Sequence, residues 1–421
     1  MTFTSDLAEA LAPDLLARFL RYVAVDTQSS RERERSPSTP GQLELGRILA
    51  AELRGFGLDD AELDEHGYVY ATLAANVPDA PVIGLLAHVD TAPDAPGAGV
   101  TPIVHRAYDG RVIELPRGGT VLDPARMPML AAKRGHDIVT TSGDTLLGAD
   151  DKAGVAAIMT AVRHLAAHPE LPRPTLRIAF TPDEEIGEGA TLFDLERFGA
   201  RCAYTLDGSE LGELQDETFS AIEAVVTIDG VDVHPGFATG VMVSAVRLAA
   251  RFVDELPYDE LTPATTSGRD GFVHVYALAG TAAHAEVRLI LRDFDDDRLE
   301  EHLALVRRGA QALVELEPRA RVQVTDKVQY RNMRRYIDAL PEVVDVAEAA
   351  IRAEGIAPLR HPIRGGTDGS RLSEMGLPTP NIFDGGYEYH SVREFASVQE
   401  MAAAAAVVVR LAGIWAGRPA G

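Results

Sequence analysis

Leu15, Phe19 and Val23 recur at the spacing of one helical face near the start of the chain, and a second helical pattern covers residues 42–53. Between them, residues 29–41 are rich in charge, Ser and Pro, which predicts a surface loop. Three apolar runs follow at 82–87, 176–180 and 203–206, too short for helices and suited to buried strands. Residues 151–165 read as an apolar helix set between two of these strands. Such alternation predicts a sheet covered by helices on both faces, with ligands gathered beyond the C-terminal ends of its strands.

From about Glu217 the pattern changes. It predicts a strand at 221–228, a helix at 241–256, strands at 272–278 and 285–292, a helix at 298–316 and a strand at 322–328. That βαββαβ order is the ferredoxin-like arrangement, complete in itself and therefore a candidate for an insertion. After Tyr330 the first pattern resumes, with helices at 342–352 and 398–411. The expected organisation is an α/β chain with a discontinuous first domain, 1–216 and 331–421, and an inserted second domain, 217–330.

Two domains also suit a length of 421 residues, beyond what one hydrophobic core usually supports. The net charge of −24 repels phosphate backbones and anionic membranes, so neither nucleic acid nor a membrane is expected as a partner. Cys202 is the one cysteine, which excludes an intrachain disulfide and a Cys-rich zinc site. Any metal must then be held by His, Asp and Glu. The first 26 residues interleave charge with apolar positions and lack the apolar core of a signal peptide. No apolar run approaches the roughly 20 residues needed to span a bilayer, so a cytoplasmic location is expected.

The candidate chemistry lies at the strand ends. The 82–87 run leads into His88-Val89-Asp90, and residues two apart on a strand share a face, so Asp90 is expected to reach the far ring nitrogen of His88. Gly148-Ala149-Asp150-Asp151-Lys152 delivers two acids ahead of a helix, where one reading is a helix cap and another is a carboxylate bridging two cations. Asp183-Glu184-Glu185 follows the second strand, and neighbouring side chains of an extended segment point apart, so one Glu can bind metal while the other faces substrate. Asp207 follows the third strand, and His390 sits in a later loop. Each residue alone has an ordinary structural explanation. As a set, His88, Asp150, Glu185, Asp207 and His390 make two three-ligand sites if Asp150 bridges, and His-carboxylate sites with open positions describe catalytic zinc.

Four motifs are similar to those of the carboxypeptidase G and aminoacylase family of di-zinc hydrolases: Ala87-His88-Val89-Asp90-Thr91, Gly148-Ala149-Asp150-Asp151-Lys152-Ala153-Gly154, Pro182-Asp183-Glu184-Glu185 and Gly365-Gly366-Thr367-Asp368-Gly369. The resemblance covers nearly the whole chain. It implies a di-zinc exopeptidase-type α/β catalytic domain with an inserted ferredoxin-like lid or dimerisation domain. It further implies that His88 and Asp207 bind one zinc, Glu185 and His390 the other, and that Asp150 bridges, with Asp90 supporting His88 and Glu184 acting as general base. Co2+ or Mn2+ could replace the two Zn2+. The implied activity is release of the N-terminal residue from tripeptides with a free amine, by a monomer or homodimer. His234 is then a candidate for stabilising the oxyanion, and Arg292, Asn332 and Arg364 for holding the peptide's terminal carboxylate. The segment Ala282-Ala283-His284 and the region of His136 depart from the pattern, which bears on substrate preference.

Three rival readings share parts of this picture. An N-acyl amino acid deacylase or a carboxypeptidase of the same family would keep every metal ligand. A nucleotide-dependent oxidoreductase would need a strand leading into G-x-G-x-x-G, which the chain lacks. A metal-dependent binding protein would tolerate loss of Glu184.

Overall fold

Residues 3–420 are described in a computed structural model. The chain divides into two compact units, one of Met1–Asp216, Arg335–His361 and Thr367–Gly421, the other of Glu217–Arg334 and Pro362–Gly366.

The first unit is built on an eight-stranded mixed sheet. Its order is Glu62–Leu63, Val69–Leu73, Thr175–Thr181, Val82–His88, Cys202–Thr205, Asn381–Ile382, Glu213–Gln215 and Leu359–Arg360. The central strands Thr175–Thr181, Val82–His88 and Cys202–Thr205 run parallel, with Leu85 opposite Ile178 on one side and Tyr204 on the other. All three of those side chains are fully buried, as parallel strands covered on both faces require. Helices Asp6–Val23, Ala149–Ala167 and Val398–Ala416 pack on one another and bury Phe19, Ile158, Val162, Val407 and Leu411. Leu86, Ala179 and Ala203, from the same three strands, belong to a second cluster with Tyr68, Tyr70, Phe193 and Phe198.

Val398–Ala416 differs from expectation, since as a helix it is long and apolar enough to cross a membrane although Glu400 and Arg410 interrupt its apolar run. Most of it is buried inside the unit, so its apolar character serves the core. A second, antiparallel sheet joins Gly386–Tyr387, Phe395–Ser397, Ile138–Thr140 and Ile103–His105. These strands have two or three residues each, too few to carry a readable period.

The second unit is an antiparallel four-stranded sheet in the order Phe272–Gly280, His284–Asp293, Ser220–Asp229 and Arg321–Tyr330. Helices Ala245–Asp254 and Asp296–Leu316 pack against it, giving the element order βαββαβ. Alternate residues of Ser220–Asp229 enter the core, where Ile222, Val226 and Ile228 meet Leu248, Phe252, Leu299 and Leu303. The unit runs past residue 330 to Arg334 and includes residues 362–366, which a boundary at 330 leaves out. Two backbone hydrogen bonds explain the return, Phe219 N–H to Ile363 O at 3.0 Å and Ile363 N–H to Glu217 O at 2.8 Å. Arg364 therefore belongs to this unit.

Candidate metal centre

Strand register sets the first three positions. His88 pairs with Thr181, and Leu86 with Thr205, so the parallel strands end together and release His88, the Asp183 turn and Asp207 at one edge of the sheet. Asp183 adopts a left-handed backbone (φ 59°, ψ 26°) that turns the chain into the short helix Glu184–Ile186. That conformation is unfavourable for a residue with a Cβ and persists where its surroundings over-determine it. Gln42 supplies much of that constraint, accepting from Asp183 N–H at 3.0 Å and donating to its carboxylate at 2.8 Å, while Ser38 N–H donates to the same carboxylate at 2.8 Å.

Asp150 and Asp151 lie where Ala149–Ala167 begins, and neither has helical dihedrals. Gly148 precedes them at φ 79°. Asp151 is fully buried and already engaged, its carboxylate accepting from His88 N–H at 3.1 Å and Gly154 N–H at 3.2 Å. Gly154 is required by close approach, because a Cβ there would lie 1.9 Å from the Leu206 carbonyl oxygen, next to Asp207.

Asp150 is the central group. Its Oδ1 lies 2.9 Å from His88 Nε2 and its Oδ2 lies 3.3 Å from His390 Nε2. Asp207 Oδ1 is 3.7 Å from the same His88 nitrogen, and Glu185 Oε2 is 3.0 Å from His390 Nε2. Ligand atoms of His88, Asp150 and Glu185 lie within 4.8 Å of one another, as do those of His88, Asp151 and Asp207. Both Asp151 oxygens face backbone N–H groups, which makes it a weaker candidate for a ligand than the others. His390 is the exposed member and has a left-handed backbone, φ 58°.

The atom nearest His88 Nδ1 is the Asp90 backbone carbonyl oxygen, at 3.1 Å, with the carboxylate at 3.4 Å. That carboxylate accepts from Glu184 N–H at 2.9 Å and Glu185 N–H at 3.2 Å. Just past the end of the strand, the one Asp90 carboxylate thus lies against the His88 imidazole and also holds the backbone of the Glu184–Glu185 turn.

The electrostatics fit cations. Burial pushes the Glu185 carboxyl up to about 8, reinforced by Asp150, and pushes Asp207 up to about 6, with Asp150 adding to the rise. Glu184 is raised well above the carboxylate range by burial, with Asp207, Asp368 and Glu185 adding repulsion. Burial opposes ionisation of Asp150, but hydrogen bonds from His390 and His88 outweigh it and hold this carboxyl low. Burial likewise disfavours a charged His390, yet Asp150 and Glu185 raise it to about 11. So many acids with two imidazoles form an excess of negative charge that the protein itself does not balance. Buried Glu185 Oε1 also has no hydrogen-bond partner. Divalent cations held by imidazole and carboxylate satisfy both features.

Three further acids support the centre, and of these only Asp368 lies in a motif of the sequence. Glu394 is buried and accepts from Leu147, Gly148 and Asp150 N–H. Asp384 is buried and accepts from Tyr389 Oη–H at 2.7 Å. Asp368, in the quoted Gly-rich motif, is buried and accepts from Thr181 Oγ1–H at 2.6 Å. Burial raises it to about 7.

The remaining candidates lie in the second unit. Exposed His234 accepts from Gly236 N–H through Nδ1 at 3.1 Å, so the neutral ring carries its proton on Nε2. Arg292 donates to the Arg364 carbonyl oxygen at 3.3 Å, and its buried Nε has no partner. The Arg364 guanidinium lies over the Phe219 and Phe272 rings. Asn332 is buried with both amide atoms occupied, accepting from Arg334 N–H at 3.0 Å and donating to Phe294 O at 3.1 Å. That gives Asn332 an internal role in this unit. His284 pairs with Asp229 at 2.8 Å, while His136, in the first unit, bonds Ser397 Oγ at 2.8 Å.

Comparison with known proteins places this geometry in context. Residues 145–413 match the model of peptidase family M20/M25/M40. A peptidase T from Geobacillus thermodenitrificans is 47% identical over 400 residues, covering 94% of this chain and 97% of that protein. Among solved structures, aminopeptidase PepT from Bacillus cereus shares the fold with a TM-score of 0.74 at 24% identity, covering 96% of this chain and 99% of that one. A dinuclear metal-binding peptidase of the M20 family from Bacillus subtilis gives a TM-score of 0.64 at 15% identity, covering 96% of this chain and 98% of that one.

Proposed function

The chain belongs to peptidase family M20/M25/M40, and on that premise we propose that it is a metal-dependent aminopeptidase that removes the N-terminal residue from tripeptides, using two zinc ions. The observation that carries this reading is the Asp150 carboxylate, one oxygen facing His88 and the other facing His390. In this reading His88 and Asp207 would hold one ion and His390 and Glu185 the other, with Asp150 available to both. Co2+ or Mn2+ could take the same positions.

When bound, such ions lower the pKa of a water and polarise the scissile carbonyl. Glu184 takes the proton from the attacking water and returns it to the leaving amine, and its burial suits it to hold that proton between the two steps. Asp90 orients Glu184 by accepting from its backbone N–H. His234, Arg292 and Arg364 are further candidates for substrate contacts by their chemistry, since a neutral His234 carries a donor at Nε2 and a guanidinium matches a carboxylate at two points. A single buried cysteine and an acidic composition suit a cytoplasmic enzyme.

Product analysis tests the specificity. Metal-loaded protein should convert a free tripeptide into its first amino acid and a dipeptide, and leave the N-acetylated tripeptide intact. Cleavage of the acetylated peptide at its acyl bond would identify a deacylase, and release of the C-terminal residue a carboxypeptidase.

A further inference from the structure

Glu394 follows His390 by four residues, is 1% exposed, and sits outside the proposed ligand set. Its Oε2 accepts from Leu147 N–H at 2.7 Å and Gly148 N–H at 2.8 Å, and its Oε1 accepts from Asp150 N–H at 3.1 Å. Its own N–H donates to Ser391 O at 3.2 Å, closing the turn 391–394 that directly follows His390. Ser391 Oγ–H donates in turn to Glu388 O at 2.7 Å. One buried carboxylate thus ties the irregular segment that presents Asp150 to the turn that presents His390.

The arrangement is not an ordinary helix cap. Gly148 has a left-handed backbone and Asp150 a non-helical one, so the three N–H groups converge on Glu394 from chain that has no ladder of its own. A buried polar group without a partner is costly, so the segment has little freedom to adopt another path while the carboxylate is present. We propose that Glu394 is a positioning residue that fixes Asp150 and His390 relative to each other and thereby sets the affinity of the centre for its ions. The inference rests on the metal reading above, because both ends of the staple are proposed ligands.

The test uses the full chain stripped with a chelator. Zn2+ is titrated against a chromophoric competitor, and Co2+ is titrated in parallel to read its visible absorption. Glu394→Gln keeps the shape but replaces one accepting oxygen with an NH2 group, and should weaken ion binding by about 10- to 100-fold and alter the Co2+ spectrum. Glu394→Asp keeps the charge with one methylene fewer, and should fall between the two; it decides the matter if the Gln variant does not fold. A purely structural role would lower the melting temperature of the stripped protein and leave both affinity and spectrum unchanged, and that result would overturn the inference. A wild-type chain that takes up no ion would overturn the metal reading as well, so the two failures are distinguishable.

Discussion

Glu184 and Glu185 are adjacent, yet only Glu185 reaches His390, at 3.0 Å, while the Asp90 carboxylate holds the backbone of both. Their separate roles give separate outcomes. Glu184→Ala should retain its metal by elemental analysis and lose on the order of 10²-fold or more in turnover, because it removes acid–base catalysis alone. His390→Ala should instead lower the metal content. His136 provides a test unrelated to metal. Burial, with Lys133 adding repulsion, lowers its pKa from 6.5 to about 4, so the unfolded chain takes up a proton that the fold refuses. The stability contributed by neutral His136 is complete above pH 6.5 and is lost as pH falls towards 4. Urea denaturation of the stripped protein at pH 7 and pH 5 should show His136→Gln losing less stability than wild type, by roughly 1–2 kcal/mol. At this scale the sequence made the acids and histidines at strand ends visible. It hid the second use of Asp90, whose carboxylate also accepts from Glu184 and Glu185 N–H, and it hid Glu394, whose partners are backbone groups with no side-chain signature.

Two elements position the centre by close contact. Helix Ala149–Ala167 approaches the strand end so closely at Gly154 that only hydrogen fits against the Leu206 carbonyl. Gly154→Ala should push the two apart, destabilise the protein by about 1–3 kcal/mol in urea denaturation and lower its metal content. Helix Pro40–Gly55 supplies Gln42, whose amide satisfies the Asp183 turn in both directions. Elements of this length were legible because seven or more residues reveal a period of 2 or 3.6. The short strands at Ile103–His105, Ile113–Glu114, Val121–Leu122 and Ile138–Thr140 were not, because two or three residues show no period, and Ile138–Thr140 pairs with the distant Phe395–Ser397.

For the whole molecule, the βαββαβ order of the second unit was readable from its alternating strands and amphipathic helices, whereas its recovery of residues 362–366 depends on two backbone hydrogen bonds that no pattern announces. The charge of −24 acquires a local meaning in the first unit, where buried acids crowd around two histidines. The measurement that tests the account most directly is a titration of the stripped chain with Zn2+, following release of the N-terminal residue from a free tripeptide. The account predicts no turnover without metal and a rise that breaks at about two ions per chain, one for each three-ligand site. Full turnover by the stripped chain, or metal uptake with no release of the N-terminal residue, would contradict it.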